Sequence, residues 1–239
     1  MLDVIQISYH EPFADENFEM LKLFAPYAKR VQGVKGIFSA HKEAAKIAET
    51  SNFYVVDADA IIHEKFNFDY KPSSTVEQYP GTMENQCIHV WRSLNPVNDL
   101  IYGYGGVKLF PRKKLLKARA WTVDMTTTLN APFCAKMELS NITSFNTTPF
   151  DAWKSAFREC AKLASSIIPN ADNYDNEHRL NVWCTRGDNK ENGKYCIMGA
   201  NQGKDFGEYY RGNLKILKKI NDFQWLKEQF EQVKDDISN

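Results

Sequence analysis

Strand and helix signals alternate along the first part of this chain and give way to helical periodicity later, the pattern of an α/β fold: a mixed sheet flanked by helices, with a helical extension at the C-terminal end. Two local features support it. The apolar run Phe53-Tyr54-Val55-Val56 stops abruptly at Asp57-Ala58-Asp59, as a buried central strand ending at a polar site does. Farther on, Phe150, Trp153, Phe157, Cys160, Ala164 and Ile167 recur at helical spacing behind a capping signal.

Taken in order, residues 2–9 alternate apolar and polar and form a first strand, with His10-Glu11-Pro12 opening a loop at its carboxyl end. Residues 17–28 place Phe18, Leu21, Phe24 and Ala25 on one helical face, and 29–34 is a short second strand. The alanine-rich stretch 40–50 is a helix whose small side chains allow close packing on a sheet. The run 53–56 is the third strand. Ligands of such sheets sit beyond the carboxyl ends of the strands, where Asp57 and Asp59 fall.

Residues 66–86 contain Pro, Ser and Tyr and read as a long loop. Strand character returns at 88–92, a glycine-rich turn at 102–106 leads into a strand at 107–110, and 112–119 is a short basic helix. Thr148 caps the next helix, with Pro149 in its first turn and Asp151 three residues beyond the cap. Residues 170–177 are polar and exposed. Residues 195–198 are expected as a strand and 199–203 as a loop. A last amphipathic helix over 222–234 buries Trp225, Leu226, Phe230 and Val233.

Composition bounds the function. A chain of 239 residues with 43% hydrophobic and 25% charged residues suffices for one domain with a substantial extension. Thirty basic residues balance thirty acidic ones, so any polyanion site must be a local patch. Residues 1–12 carry no basic leader, and no apolar run approaches the roughly 18–20 residues that span a bilayer, so a cytoplasmic enzyme is expected. The five cysteines are scattered without a CxxC pair, the pattern of reduced, buried thiols rather than of a disulfide framework or a zinc motif.

Asp57 and Asp59 carry the chemistry. In extended chain, residues i and i+2 face one side, so both carboxylates can meet one ion, and hard oxygen ligands suit Mg²⁺ or Mn²⁺ bound together with phosphates. The plainer alternative is that Asp59 caps a turn and Asp57 pairs with a lysine. A glycine turn at 33–36, the Ala40-His41 helix start and the strand ending Asp57-Ala58-Asp59 together resemble the nucleotide-sugar half of a GT-A (Rossmann-like) glycosyltransferase over about the first 110 residues. The resemblance implies a nucleotide-diphosphate sugar as donor and an Mn²⁺ or Mg²⁺ ion on Asp57 and Asp59. It implies a nucleoside contact at His41, a base bordered by Gln6, Ser8 and Tyr9, and assistance from Arg30 or Lys35. Residues 1–145 would form the donor-binding and catalytic core, and 146–239 the helical part completing the acceptor side.

The block YGYGGVKLF at 102–110 resembles the second block of retaining, glycogenin-like enzymes, where Gly105 and Gly106 would let the backbone approach the sugar. A plain tight turn is the alternative. Asp124 with Leu129-Asn130 resembles the next block, although Met125 replaces the usual Gln, and no late histidine stands at 199–204 as a third metal ligand; His178 or Asp205 are the substitutes. Asp124, Arg158 and Glu159 are the expected catalytic residues, with Arg158 and Glu159 either lining the cleft or forming a surface pair.

The fuller pattern resembles tailed-phage proteins similar to glycosyltransferases, some of which decorate hydroxymethylated pyrimidines in DNA. That resemblance implies a DNA acceptor, with phosphate contacts from Arg112, Lys113, Lys114, Lys117 and Arg119 and base stacking on Trp91 or Trp121. A solvated helix face and core tryptophans are the alternatives. A glycan or protein acceptor, or a non-catalytic DNA- or carbohydrate-binding module, also fits. A nucleotidyltransferase does not, because residues 10–17 are acidic where that class needs a basic, glycine-rich loop.

Overall fold

The computed structural model describes residues 1–79, 81–103, 105–120, 122–167 and 173–238. The chain forms two compact units, one of Met1–Asn95, Ile101–Ala120 and Thr128–Ser144, the other of Pro96–Leu100, Trp121–Thr127 and Phe145–Asn239.

The first unit is the mixed α/β sheet with flanking helices. It contains β1 (Asp3–Ser8), α1 (Ala14–Phe24), β2 (Lys29–Gln32), α2 (Ile37–Ile47), β3 (Asn52–Asp57), β4 (Ala60–Ile62), β5 (Glu77–Tyr79), β6 (Thr82–Met83), β7 (Ile88–Leu94), β8 (Ile101–Tyr102), β9 (Val107–Pro111), α3 (Arg112–Lys117) and β10 (Phe133–Thr143). The sheet runs β2-β1-β3-β9-β7-β10-β4, with β8 paired to β7. Strands β1, β2 and β3 are parallel, whereas β9 lies antiparallel to β3 and β7. Parallel strands need crossovers, and α1 and α2 supply them. Alternation along β3 serves both faces: Tyr54 and Val56 pack with Val4, Leu21, Ala25 and Trp91, while Phe53 lies 6.5 Å from Phe110. Helix α2 buries Ala40, His41, Ala44 and Ala45.

Two expectations change here. The long loop at 66–86 includes the β5–β6 hairpin. Strand β10 carries no sequence signal, because register shifts between Lys136 and Leu139 and between Leu139 and Asn141 break its period of two.

The second unit is helical: α4 (Pro149–Ala164), α5 (Asn173–Thr185), α6 (Gly193–Tyr209), α7 (Leu214–Leu217) and α8 (Phe223–Val233). Thr148 caps α4 as expected, its Oγ1 accepting from the Asp151 N–H at 3.1 Å. Trp153, Phe157 and Ala161 join Leu217, Ile220, Leu226 and Phe230 in one core. The strand and loop expected at 195–203 are helix α6. Gly199, Gly203 and Gly207 recur every fourth residue, and a Cβ on Gly203 would stand 2.2 Å from the Phe157 carbonyl oxygen. Helix propensity counts against three glycines. Close backbone packing on α4 decides otherwise. The polar residues from 173 onward begin α5 rather than continuing a loop.

Candidate functional site

The carboxyl ends of β1, β2 and β3 share one edge of the sheet. There Asp57, the last residue of β3, has a side chain 24% exposed. Its Oδ2 accepts from Lys108 Nζ at 2.9 Å and from the Gly106 N–H at 3.0 Å. Its Oδ1 is shielded from solvent and has no hydrogen-bond partner. Burial would raise the Asp57 pKa, but Lys108, the charge of His41 and the Gly106 N–H outweigh it and hold the carboxyl below its usual range. The aspartate is thus ionised, with one oxygen held and one in reserve.

The glycine turn shapes this clamp. Gly106 has φ +84°, and a Cβ there would come within 2.0 Å of Asn141 Oδ1. The close approach that demands glycine is therefore to Asn141. At Gly105 an added Cβ would lie 3.8 Å from Asp57 Oδ2, an ordinary contact. Beneath the turn, Ser93 Oγ lies 2.7 Å from the Gly105 carbonyl and 2.9 Å from Asn141 Oδ1, and Asn141 Nδ2 donates to Thr143 Oγ1 at 3.1 Å. Sequence reading missed Lys108, Ser93, Asn141 and Thr143. Only Lys108 carried a signal, as the one charge in the apolar strand VKLF.

The other expected donor residues divide between the two faces. By strand alternation Gln6 and Ser8 share the α1 face with Val4, whereas Asp57 shares the α2 face with His41 and Lys108. Gln6 is fully buried and neither atom of its amide has a partner. Arg30 Nε donates to Ser8 Oγ at 3.0 Å and the guanidinium pairs with Asp15. Tyr9 and Arg30 line a cavity of about 290 Å³ with Glu11, Phe13 and Gln32. Lys35 is exposed in the loop after β2. His41 is 1% exposed, its Nδ1 2.8 Å from the Ile37 carbonyl and its ring edge-on to Phe110. It sits under the site as a core histidine.

Asp59 lies in the turn between β3 and β4, so the extended-chain argument for its facing the same side as Asp57 does not hold. Its carbonyl accepts from the Ser144 N–H at 2.7 Å. Among the described residues, Asp57 and Asp59 gather no third carboxylate, His or Cys; the one such group of three lies elsewhere, at Glu84, His89 and Cys134.

Asp124, Arg158 and Glu159 meet in the helical unit around Lys162, whose Nζ is 2.7 Å from Glu159 and 3.8 Å from Asp124. Arg158 donates to the Ile220 carbonyl at 2.8 Å and to Asn221 Oδ1 at 3.1 Å. Burial would lower the Lys162 pKa, but the two carboxylates raise it. These contacts tie α4 to residues 122–127 and 218–221, and a catalytic role for the three draws no support from them. In the same unit His178 lines a cavity of about 570 Å³ with Arg186, Asn189 and Lys190.

The basic segment and the tryptophans depart from the nucleic-acid expectation. Arg112 donates to the Ala45 carbonyl and Lys114 to the Gln86 carbonyl, leaving Lys113, Lys117 and Arg119 exposed. Because β9 runs antiparallel to β3, α3 starts beside Asn52, about 17 Å along the strand from Asp57. Trp91 is 1% exposed and belongs to the core. Trp121 and Tyr104 lie outside the described residues. None of the five cysteines is in a disulfide and all but Cys184 are buried, and no helix among the described residues is long and apolar enough to cross a membrane.

No family model and no curated protein matches the chain. Among solved structures it is similar to HddC from Yersinia pseudotuberculosis, at 12% identity over 59% of this chain and 92% of that one, with a TM-score of 0.37. It is also similar to a glycosyltransferase involved in the glycosylation of the major capsid of PBCV-1, at 12% identity over 57% of this chain and 83% of that one, with a TM-score of 0.34. At such scores neither likeness carries an argument about activity, which rests on the site itself.

Proposed function

We propose that this chain is a glycosyltransferase of the GT-A kind, binding a nucleotide-diphosphate sugar at the carboxyl edge of β1–β3 and transferring the sugar to an acceptor hydroxyl. One observation carries the reading: an ionised, largely buried aspartate ends the parallel strand β3 and keeps one shielded oxygen without a partner. Lys108 and the Gly106 N–H engage the other oxygen, so Oδ1 is the acceptor left for a ligand. The edge is also where ligands of such sheets bind.

A divalent cation, Mn²⁺ or Mg²⁺, would sit on Asp57 Oδ1, with Asp59 turned toward it from the β3–β4 turn as the second carboxylate. Bound there, the ion would offset charge on the departing diphosphate. Lys108 orients Asp57 and keeps it charged, the glycine turn holds its other oxygen, and Arg30 stands at the neighbouring cavity as a phosphate contact. Retention of anomeric configuration fits best, because no carboxylate follows the glycine turn where an inverting base would stand. A hydroxymethylated pyrimidine in DNA is the second reading for the acceptor. The exposed Lys113, Lys117 and Arg119 favour it, and their distance from Asp57 along the sheet weighs against it.

Thermal shift across a panel of nucleotide sugars with and without Mn²⁺ tests the proposal. One donor should stabilise the parent by about 2.7 kcal/mol at a hundredfold excess over its Kd, and Asp57→Asn should abolish that shift while remaining folded. A panel in which no nucleotide sugar moves the parent would falsify the assignment.

A further inference from the structure

At the opposite edge of the sheet a second group of chemistry-bearing side chains meets. His89 and Cys134 are register partners on the parallel strands β7 and β10, so their side chains stand on one face. Glu84 lies on the turn Glu84–Gln86 that precedes β7. One ligand atom from each of these three residues lies within 4.8 Å of the others. His89 is fully buried and Cys134 is 5% exposed. Neither ring nitrogen of His89 has a well-formed hydrogen bond. The Cys87 backbone approaches the ring without forming a well-aligned bond, so the buried imidazole stays under-satisfied.

We propose that Glu84, His89 and Cys134 form a zinc site that clips the Glu84–Gln86 turn onto the sheet. Thiolate, imidazole and carboxylate together select Zn²⁺ over the hard cations Mg²⁺ and Mn²⁺. Tetrahedral zinc with normal bond lengths sets ligand atoms about 3.2–3.8 Å apart, so the group needs to contract by about 1 Å. A water completes the shell. His89 would bind as neutral imidazole and Cys134 as thiolate, the Zn–S bond replacing the S–H bond whose proton passes to solvent.

The surroundings orient the carboxylate. Tyr70 Oη donates to Glu84 Oε1, and the Ser73 N–H donates to Oε2 at 2.8 Å. Lys136 Nζ faces the site, 3.4 Å from Glu84 Oε1 and 3.9 Å from the Tyr70 ring centre. Zn²⁺ with one thiolate and one carboxylate is neutral overall, so Lys136 keeps only its hydrogen bond to Glu84.

Cobalt(II) titration of the intact protein after chelator treatment tests this. A thiolate-to-cobalt charge-transfer band at one equivalent, displaced by Zn²⁺, is expected, and Cys134→Ser should remove it. Asp57→Asn and Cys184→Ser, both outside the ligand set, should keep it. Should the Cys134 variant not fold, Glu84→Gln decides, since its zinc affinity should fall about tenfold or more in competition with a chromophoric chelator. No band in the parent, a band that survives Cys134→Ser, or unchanged zinc affinity in Glu84→Gln would each overturn the site.

Discussion

Two aspartates at opposite edges of the same sheet are held in different ways. At the amino edge, Asp3 Oδ2 accepts from the N–H groups of Glu49 and Thr50 at 2.7 and 2.8 Å and from Thr50 Oγ1 at 3.0 Å, while Lys29 pairs with Oδ1 at 3.1 Å. At the carboxyl edge, Asp57 has one oxygen fully engaged and the other shielded and alone. The Asp3 carboxylate spends both oxygens on its own chain. One that keeps an oxygen in reserve is suited to a ligand, and the same contrast marks His89 at the amino edge.

The largest effect on this comparison should come from Gly106→Ala. The left-handed φ and the collision with Asn141 together predict a loss of about 4 kcal/mol in urea unfolding, enough to dissolve the clamp on Asp57. Lys108→Met should cost about 3 kcal/mol at neutral pH, because it leaves a buried carboxylate uncompensated. In the parent, the lowered pKa means that Asp57 adds stability above its unfolded value of 3.8 and loses it as pH falls through the folded value. Without Lys108 burial prevails and the folded pKa rises, so the two unfolding curves should converge in acid; a gap that stays constant with pH would remove charge pairing from the account.

Asp3 provides the smaller control. Burial would raise its pKa, but the Thr50 and Glu49 N–H groups and Lys29 bring it down to about 2. Its contribution, about 2 kcal/mol from that shift, is present above pH 3.8 and lost between there and pH 2. Asp3→Asn should flatten the parent's stability loss in that window without touching donor binding. The least effect belongs to Gly105→Ala, about 0.5 kcal/mol or less, since its Cβ meets only ordinary contacts. If Gly105→Ala nevertheless abolishes donor binding, the turn also approaches the sugar.

Short-range signals made these elements legible. The apolar residues of β1, the alanine face of α2 and the apolar run of β3 each sit within one element, and in the second unit the Thr148 cap works within one turn. Asp57 was legible because a charge directly after a buried strand is conspicuous in any fold. The roles expected of His41 and Trp91 were not readable, since both residues suit a site and a core equally until their neighbours are known. Strand β10 stayed hidden behind its bulges. Helix α6 stayed hidden behind glycines whose use depends on a partner helix.

The amino-acid sequence by itself determined that a mixed α/β sheet would form, where its parallel strands would end, and that an aspartate would stand at that edge, because hydrophobic periodicity and strand termination are local properties. Tertiary structure alone decided which atoms meet. Lys108 reaches Asp57 across 51 positions of chain, Gly106 is forced by Asn141, and Glu84, His89 and Cys134 converge from three separate elements. Such meetings depend on strand register and crossover, which no local pattern encodes.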